Sequence, residues 1–175
     1  MEETKHFEFL ELYEPIHKQF AQFCRAISGN KPDAEDVMND AILAVLENMG
    51  SLKDKNAFKP YIFSIASNLN KMRFRKVKFK AEFNEYELMQ MVGTDNPEFA
   101  TEFNIIYEKM LSLPNRMSET LILFHISDLS IEEIQKIQGG SLSGVKLRLM
   151  RGREKLLALL TTPKQRELAI MLLSL

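Results

Sequence analysis

The chain has 175 residues, 45% of them hydrophobic, with 23 lysines and arginines against 24 aspartates and glutamates. That is enough for one domain or two small ones around a packed core. Its single cysteine, Cys24, excludes an internal disulfide framework, and no apolar run reaches the ~18 residues of a membrane span. The acidic start, MEETKHFEF, lacks the shape of a signal peptide, so the expectation is a cytoplasmic protein without membrane insertion.

The near-neutral total hides an alternation. Counting cations minus anions, residues 1–49 carry 4 − 10 = −6, residues 50–80 carry 9 − 1 = +8, residues 81–135 carry 2 − 11 = −9, and residues 136–175 carry 8 − 2 = +6. Two positive blocks on separate helical stretches point to a chain that grips a polyanion at two places.

Taken in chain order, every patterned stretch reads as helix, and no long alternating run argues for a sheet. The fold class expected is all-α: two small helical domains joined by a flexible linker, the second a helix-turn-helix. Leu10, Tyr13, Ile16, Phe20, Phe23, Cys24 and Ile27 recur at helical spacing up to a stop at Ser28-Gly29-Asn30, and Cys24 reads as a core residue. A second helix is predicted after Pro32, capped by Asp33, with Glu35 and Asp36 in its first turn and Met38, Ala41, Ile42, Val45 and Met49 as its buried stripe. After the polar loop Ser51 to Ala57, a third helix tolerates Pro60 in its first turn and presents Phe58, Ile62, Ile65, Leu69 and Met72 to the core. The first domain spans 1–80.

Residues 81–103 lose the periodicity, contain Gly93-Thr94-Asp95-Asn96-Pro97 and read as an acidic linker. A second domain follows over 104–160. One helix covers about Glu102 to Ser112, and another starts near Pro114 and buries Met117, Leu121 and Phe124. Ser130 and Glu133 form a capping box for a short helix that ends at Gly139-Gly140. Ser141 caps the next helix, which buries Leu142, Val145, Leu149 and Leu156. A short helix, a glycine turn and a longer basic helix make the helix-turn-helix pattern. Thr162-Pro163 with Gln165 starts an amphipathic tail (161–175) whose Leu168, Met171, Leu172 and Leu175 either fold back on the domain or dock on a partner.

The chemistry lies in the two basic helices. Lys71, Arg75 and Lys78 align at i, i+4, i+7, beside a second stripe of Arg73, Lys76 and Lys80. Six cations in that stretch exceed what a helix dipole requires, and Lys and Arg supply the counter-charge for phosphates. On the later helix Ser143, Lys146, Leu147, Met150 and Arg151 face away from the core, where Lys and Arg reach phosphates or guanine edges and Leu and Met meet a thymine methyl. The loop before the first basic helix, with Phe58, Tyr61, Phe63 and Phe74 nearby, offers a place for an unstacked base, although each aromatic taken alone is more often core.

At this point the chain resembles a known family, the extracytoplasmic-function (ECF) sigma factors, small two-domain specificity subunits of bacterial RNA polymerase. Pro32-Asp33-Ala34-Glu35-Asp36-Val37 followed by Asn39-Asp40-Ala41-Ile42-Leu43 is similar to that family's polymerase-binding helix. Ala57-Phe58-Lys59-Pro60-Tyr61-Ile62-Phe63-Ser64-Ile65-Ala66-Ser67-Asn68 resembles its promoter-melting segment, with Tyr61 where Trp is frequent. Leu113-Pro114 through Leu156 resembles its promoter-reading domain. The resemblance implies that Asp40, Leu43 and Glu47 bind the clamp helices of the largest polymerase subunit. It implies that the loop from Lys53 through Asn56 to Ala57, with Asn68, captures a flipped base of the minus-ten element. Lys71, Arg73, Arg75 and Lys76 would hold the DNA backbone there. Ser143, Lys146, Leu147, Arg148 and Arg151 would lie on the minus-thirty-five element, and their domain would meet the flap of the second-largest subunit. Core RNA polymerase, promoter DNA (duplex and melted strand) and an anti-sigma factor are the implied partners. The departures are Gln135, Gln138, Gly140, Gly144 and Leu147, at positions where the family usually has other residues.

Catalysis is not expected. His6, His17 and His125 are far apart, no spacing makes a metal site, and no phosphate-binding glycine loop is present, so neither metal nor cofactor is implied. The rivals are a stand-alone helix-turn-helix regulator, usually a symmetric dimer on duplex DNA, and a helical interaction protein with merely solvated basic faces. The alternating charge blocks and the acidic linker also predict that the two domains of the free protein close on each other and cover basic surface.

Overall fold

The computed structural model describes residues 2–74, 89, 93 and 95–174, and the side chains among them except those of 2–5, 74 and 174. Every element among the described residues is helical. The N-terminal unit comprises α1 (Glu2–Tyr13), α2 (His17–Ser28), α3 (Lys31–Asn48) and α4 (Phe58–Phe74). The C-terminal unit comprises α5 (Pro97–Leu111), α6 (Asn115–Leu121), α7 (Ile131–Gln138), α8 (Leu142–Leu159) and α9 (Pro163–Ser174).

The first amphipathic stretch is two helices rather than one. Pro15 lacks the N–H that a continuous helix requires, and the chain passes through a 3-10 turn over Glu14–Ile16 before α2 begins. Tyr13, Ile16, Phe20, Phe23, Cys24 and Ile27 are buried as expected, but Leu10 is exposed and Phe9 takes the inward position. Burial pushes the Cys24 thiol up to about 12, which keeps it an inert apolar residue. Helix α3 begins at Lys31 with Asn30, not Asp33, as its cap: Asn30 Oδ1 accepts the Asp33 N–H at 2.9 Å, and Pro32 lies in the first turn. The core of this unit is aromatic, with Phe9 on Phe58 at 5.7 Å and Phe63 between Phe20 (5.2 Å) and Phe23 (5.0 Å), measured between ring centroids. Each fully buried ring contributes about 1.5–3 kcal/mol. Met72, expected on the buried face of α4, is exposed.

Helix α5 starts at Pro97, well before the expected point, because Asn96 Oδ1 accepts the Glu98 N–H at 3.0 Å and Pro97 fits the first turn. After α6 the chain widens into a π turn over Ile122–Ile126, closed by Ser127 N–H on the Ile122 carbonyl at 3.0 Å. The Ser130–Glu133 capping box forms as read, and Ser141 Oγ accepts the Gly144 N–H at 3.1 Å. Between them Gly139 (φ 73°) and Gly140 (φ 86°) take backbone conformations that side chains disfavour, which sets the turn. Val145, Leu149 and Leu156 are buried on α8, while Leu142 is exposed at its first turn. The tail folds back: Thr162 Oγ1 caps Gln165, Leu168, Ala169 and Leu173 are buried, and Lys164 pairs with Glu98 and Glu102 of α5. Met171, expected in that stripe, is exposed, and Leu175 lies outside the described residues.

The two units share one continuous buried core. Helix α4 lies against α7, and α2 against the π turn. The predicted closure is therefore present in this structure. It runs through α6, the π turn and α7, and it leaves most of the described cationic side chains exposed.

Two predictions follow from packing and burial. A Cβ at Gly152 would lie 3.0 Å from Met117 Cγ and 3.2 Å from Leu121 Cγ, so Gly152 permits the close approach of α8 to α6. Gly152→Ala is expected to cost about 1–3 kcal/mol in urea unfolding. His125, half-buried and accepting from Arg153 Nε at 3.3 Å, has its pKa depressed to about 4 by desolvation first and the Arg153 charge second. The unfolded chain then binds the extra proton from pH 6.5 downward and the folded one only near pH 4, so stability falls as pH drops through that window, by up to about 3 kcal/mol. His125→Gln is expected to flatten that part of the stability–pH curve.

Candidate nucleic-acid and polymerase interface

On α3 the residues Asp40, Leu43 and Glu47 share one outward face while Ala34, Val37, Ala41 and Val45 enter the core. Leu43 is 56% exposed, an apolar side chain with no cover in the isolated chain. Beside it, Arg73 from the end of α4 reaches Asp36 Oδ2 at 3.2 Å and Asp40 Oδ2 at 2.5 Å. The fold thus joins a residue expected to touch DNA to one expected to touch polymerase. Desolvation lowers the Arg73 pKa, the two carboxylates outweigh it, and the net shift is upward.

The loop before α4 is ordered by Asp54, whose Oδ1 accepts from the Asn56 N–H at 2.9 Å and from Asn56 Nδ2 at 3.1 Å. Lys53 and Asn56 are exposed, and Lys55 pairs with Glu8 at 3.0 Å. Asn68, also exposed, lines a cleft of about 270 Å³ with Ser64, Ser67, Lys71, Arg116 and Gln138. Lys71 is half-exposed and lies 3.1 Å from Glu119 of the other unit. Among the aromatics considered for base stacking, Phe58 and Phe63 are core, Tyr61 is half-buried, and the side chain of Phe74 lies outside the described residues. Arg75 and Lys76 also lie outside them.

On α8 Ser143, Lys146, Leu147, Met150 and Arg151 are exposed together, one face of mixed hydroxyl, cation and apolar groups. Arg148 is turned differently. It is half-buried, and its Nε and Nη2 have no hydrogen-bond acceptor. Desolvation and then Arg116 pull its pKa down, while Glu119 pulls it up.

The unusual residues of the turn have structural partners. Gln135 Nε2 donates to the Gly140 carbonyl at 2.8 Å, and Gln138 Nε2 donates to the Arg116 carbonyl at 3.2 Å. Arg116 Nη2 returns to the Gln138 carbonyl at 2.5 Å. A Cβ at Gly144 would press on the Ser141 capping hydroxyl at 3.2 Å. These polar links tie the turn to α6 where apolar side chains would otherwise be expected.

Sequence reasoning missed Glu119 and Ser67. Glu119 is 6% exposed and sits between Ser118 and Thr120 at the start of the buried run Leu121 to Leu123. An acid placed against such a run was the available signal. No group of three or more acidic, His or Cys side chains suited to a metal occurs among the described residues, and no helix among them is long and apolar enough to cross a membrane.

Comparison with known proteins bears on the same two units. The family profile sigma-70 region 2 matches residues 12–79, and sigma-70 region 4 matches residues 103–156. The ECF RNA polymerase sigma factor SigW of Bacillus subtilis (strain 168) is 30% identical over 161 residues, covering 85% of this chain and 86% of that protein. The RNA polymerase sigma factor YlaC of the same organism is 26% identical over 171 residues, covering 93% and 98%. Among solved structures, CnrH in complex with the cytosolic domain of CnrY has a similar fold, with a TM-score of 0.64 at 23% identity over 86% of each chain. A region 2 helical unit followed by a region 4 helix-turn-helix, shared with an ECF relative over most of both chains, shows that this protein belongs to the ECF family of RNA polymerase sigma factors, alternative sigma factors that direct promoter-specific transcription initiation.

Proposed function

We propose how the work divides along this chain. Residues 1–80 hold polymerase and melt the promoter, 81–103 link, 104–160 read the upstream element, and 161–175 brace the reader. Asp40, Leu43 and Glu47 dock on the clamp helices of the largest polymerase subunit. Lys53, Asn56 and Asn68 hold a base flipped from the minus-ten element, and Lys71, Arg73, Arg75 and Lys76 grip the backbone beside it. Ser143, Lys146, Leu147, Arg148 and Arg151 serve the minus-thirty-five element. CnrH, whose fold is similar, forms a complex with the cytosolic domain of CnrY; by analogy an anti-sigma partner occupies part of the same surfaces here. No covalent step is asked of this chain: holding one base outside the stack offsets a few kcal/mol of unstacking and favours the open duplex.

The observation that carries this reading is the exposed row Asp40, Leu43 and Glu47. What supports the reading is the combination: an acidic and apolar row on one outward face of a helix remote in sequence from the DNA reader, where a second macromolecule can dock apart from DNA. The test is co-purification with core RNA polymerase and run-off transcription on fragmented genomic DNA. Stoichiometric binding with new start sites is expected. Tight duplex binding without polymerase would instead favour the stand-alone regulator. Leu43→Asp is expected to abolish co-purification while leaving thermal stability within about 0.5 kcal/mol, because an exposed side chain contributes little to folding. Lys146→Ala and Arg151→Ala are each expected to reduce the slope of log affinity against log salt by about 0.9 on promoter duplex, one phosphate contact apiece.

A further inference from the structure

The outward face of α8 is ordered across its width. At about 100° per residue, Ser143, Leu147 and Met150 fall within about 60° of one another, with Lys146 about 40° beyond Met150 on one side and Arg151 about 40° beyond Leu147 on the other. All five are exposed, Leu147 at 40% and Met150 at 49%. The centre of the face is thus one hydroxyl and two large apolar side chains, and the cations stand along its two edges. Glu154, also exposed, comes next on the central line, so the uncharged stretch is confined to the N-terminal half of the helix. That is the half a recognition helix inserts into the major groove. Val145 and Leu149 hold the other side of α8 in the core, so packing fixes which face points outward. A single exposed apolar residue is ordinary. Two on one line between cations match a surface that is apolar at its centre and anionic at its borders.

We propose that Leu147 and Met150 read thymine methyl groups on two neighbouring A·T pairs of the upstream element, while Lys146 and Arg151 hold phosphates on the two strands that border the groove. This rests on the functional reading above and names the bases of that site. The thymine C5-methyl is the apolar group that base pairs present in the major groove. Guanine offers two acceptors there and cytosine an amino donor. A leucine or methionine pressed on those groups strips their water and returns no hydrogen bond, which discriminates against G·C. Three residues along a helix rise about 4.5 Å, against about 3.4 Å between base steps, so side chains at that spacing meet adjacent pairs. Ser143, one turn before Leu147, can donate to or accept from the polar edge groups that remain. The cationic edges supply affinity and position, and the apolar centre supplies the choice of base.

The test starts with the full chain, alone and with core polymerase, and a randomised duplex library. Selection is expected to enrich two neighbouring A·T pairs. Each thymine of the recovered duplex is then replaced by deoxyuridine, which removes one methyl and leaves every hydrogen-bonding group in place. Affinity is expected to fall about four-fold per contacted methyl, the effect of exposing one such buried group. Leu147→Ala and Met150→Ala are each expected to bring one thymine-to-uracil ratio down to about one, with the salt dependence unchanged because no phosphate contact is lost. Both side chains are exposed, so both variants are expected to fold, which a thermal melt checks. Lys146→Ala is expected to do the reverse, weakening thymine and uracil duplexes alike. Enrichment of G·C pairs, or no enrichment in either form, would overturn the proposal. So would a thymine-to-uracil ratio that both alanine variants leave unchanged. Equal affinity for thymine and uracil duplexes would also overturn it and assign the apolar line to a protein partner. Selection on the chain alone requires no polymerase, so failure of the sigma-factor roles would show separately, as absent run-off products.

Discussion

The placement of both units depends on a carboxylate held nearly out of water. An unpaired charge at 6% exposure is expensive, and Glu119 is tolerable only because Ser67 donates to it and Lys71, Arg148 and Arg116 surround it. All but Ser67 and Lys71 belong to its own unit, and the pair that completes the site lies on α4. The energetics of such a site are balanced: desolvation offsets much of the Coulomb gain. A contact of this kind selects one arrangement, and the continuous apolar core that runs across both units stabilises it.

The same economy appears in Arg73. Its guanidinium meets Asp36 and Asp40, joining the end of α4 to the helix that carries the row Asp40, Leu43 and Glu47. Both carboxylates are substantially exposed, so this pair is screened and worth little in isolation. Its consequence is geometric: anything that draws Asp40 away, or offers Arg73 a phosphate, is felt on the other helix. Whether a surface ion pair of this sort transmits anything depends on α3 and α4 remaining packed, and Val37, Ala41, Ile62 and Ala66 keep them so.

Much of this was legible in the sequence, and the reasons are local. The capping box at Ser130 and Glu133, the Ser141 cap and the turn at Gly139-Gly140 rest on short-range chemistry that needs no tertiary context. The outward faces of α3 and α8 follow from helical period alone. What escaped was long-range or depended on neighbours a helix cannot announce. Asn30 rather than Asp33 caps α3 because both are good caps and the tertiary entry angle chooses between them. Phe9 rather than Leu10 turns inward because Pro15 resets the phase of α1 against α2. Met72 reads as core by period but is exposed. Glu119 and Ser67 are fifty-two positions apart, and no spacing rule links them. Charge blocks did anticipate closure of the two domains on each other, but they overestimated how much cationic surface it would cover.

The departures in the reader show how a fold absorbs changes of chemistry. Where the family usually has Ala and Leu, this chain has Gln135 and Gln138, and a buried amide without partners would cost more than the lost apolar contact. The structure avoids that cost because Gln135 donates to the Gly140 carbonyl, which glycine leaves accessible, and Gln138 closes a reciprocal pair with Arg116. Gln138 Oε1 also lies 2.8 Å from Thr120 Oγ1, next to Glu119 in sequence. The polar turn and the interdomain carboxylate thus meet on the same helix, α6, where Arg116, Glu119 and Gln138 line one cleft. Apolar residues at 135 and 138 would remove the side-chain donors to the Gly140 and Arg116 carbonyls and the acceptor of the Thr120 hydroxyl, while the Arg116 side chain would keep its bond to the backbone carbonyl of residue 138. Substitutions at the two ends of this network act through shared partners, so their effects should not add. Helix α8, the turn and Glu119 are in that sense one polar unit laid over an ordinary apolar core, and the turn's polar bonds hold the outward face of α8 in register.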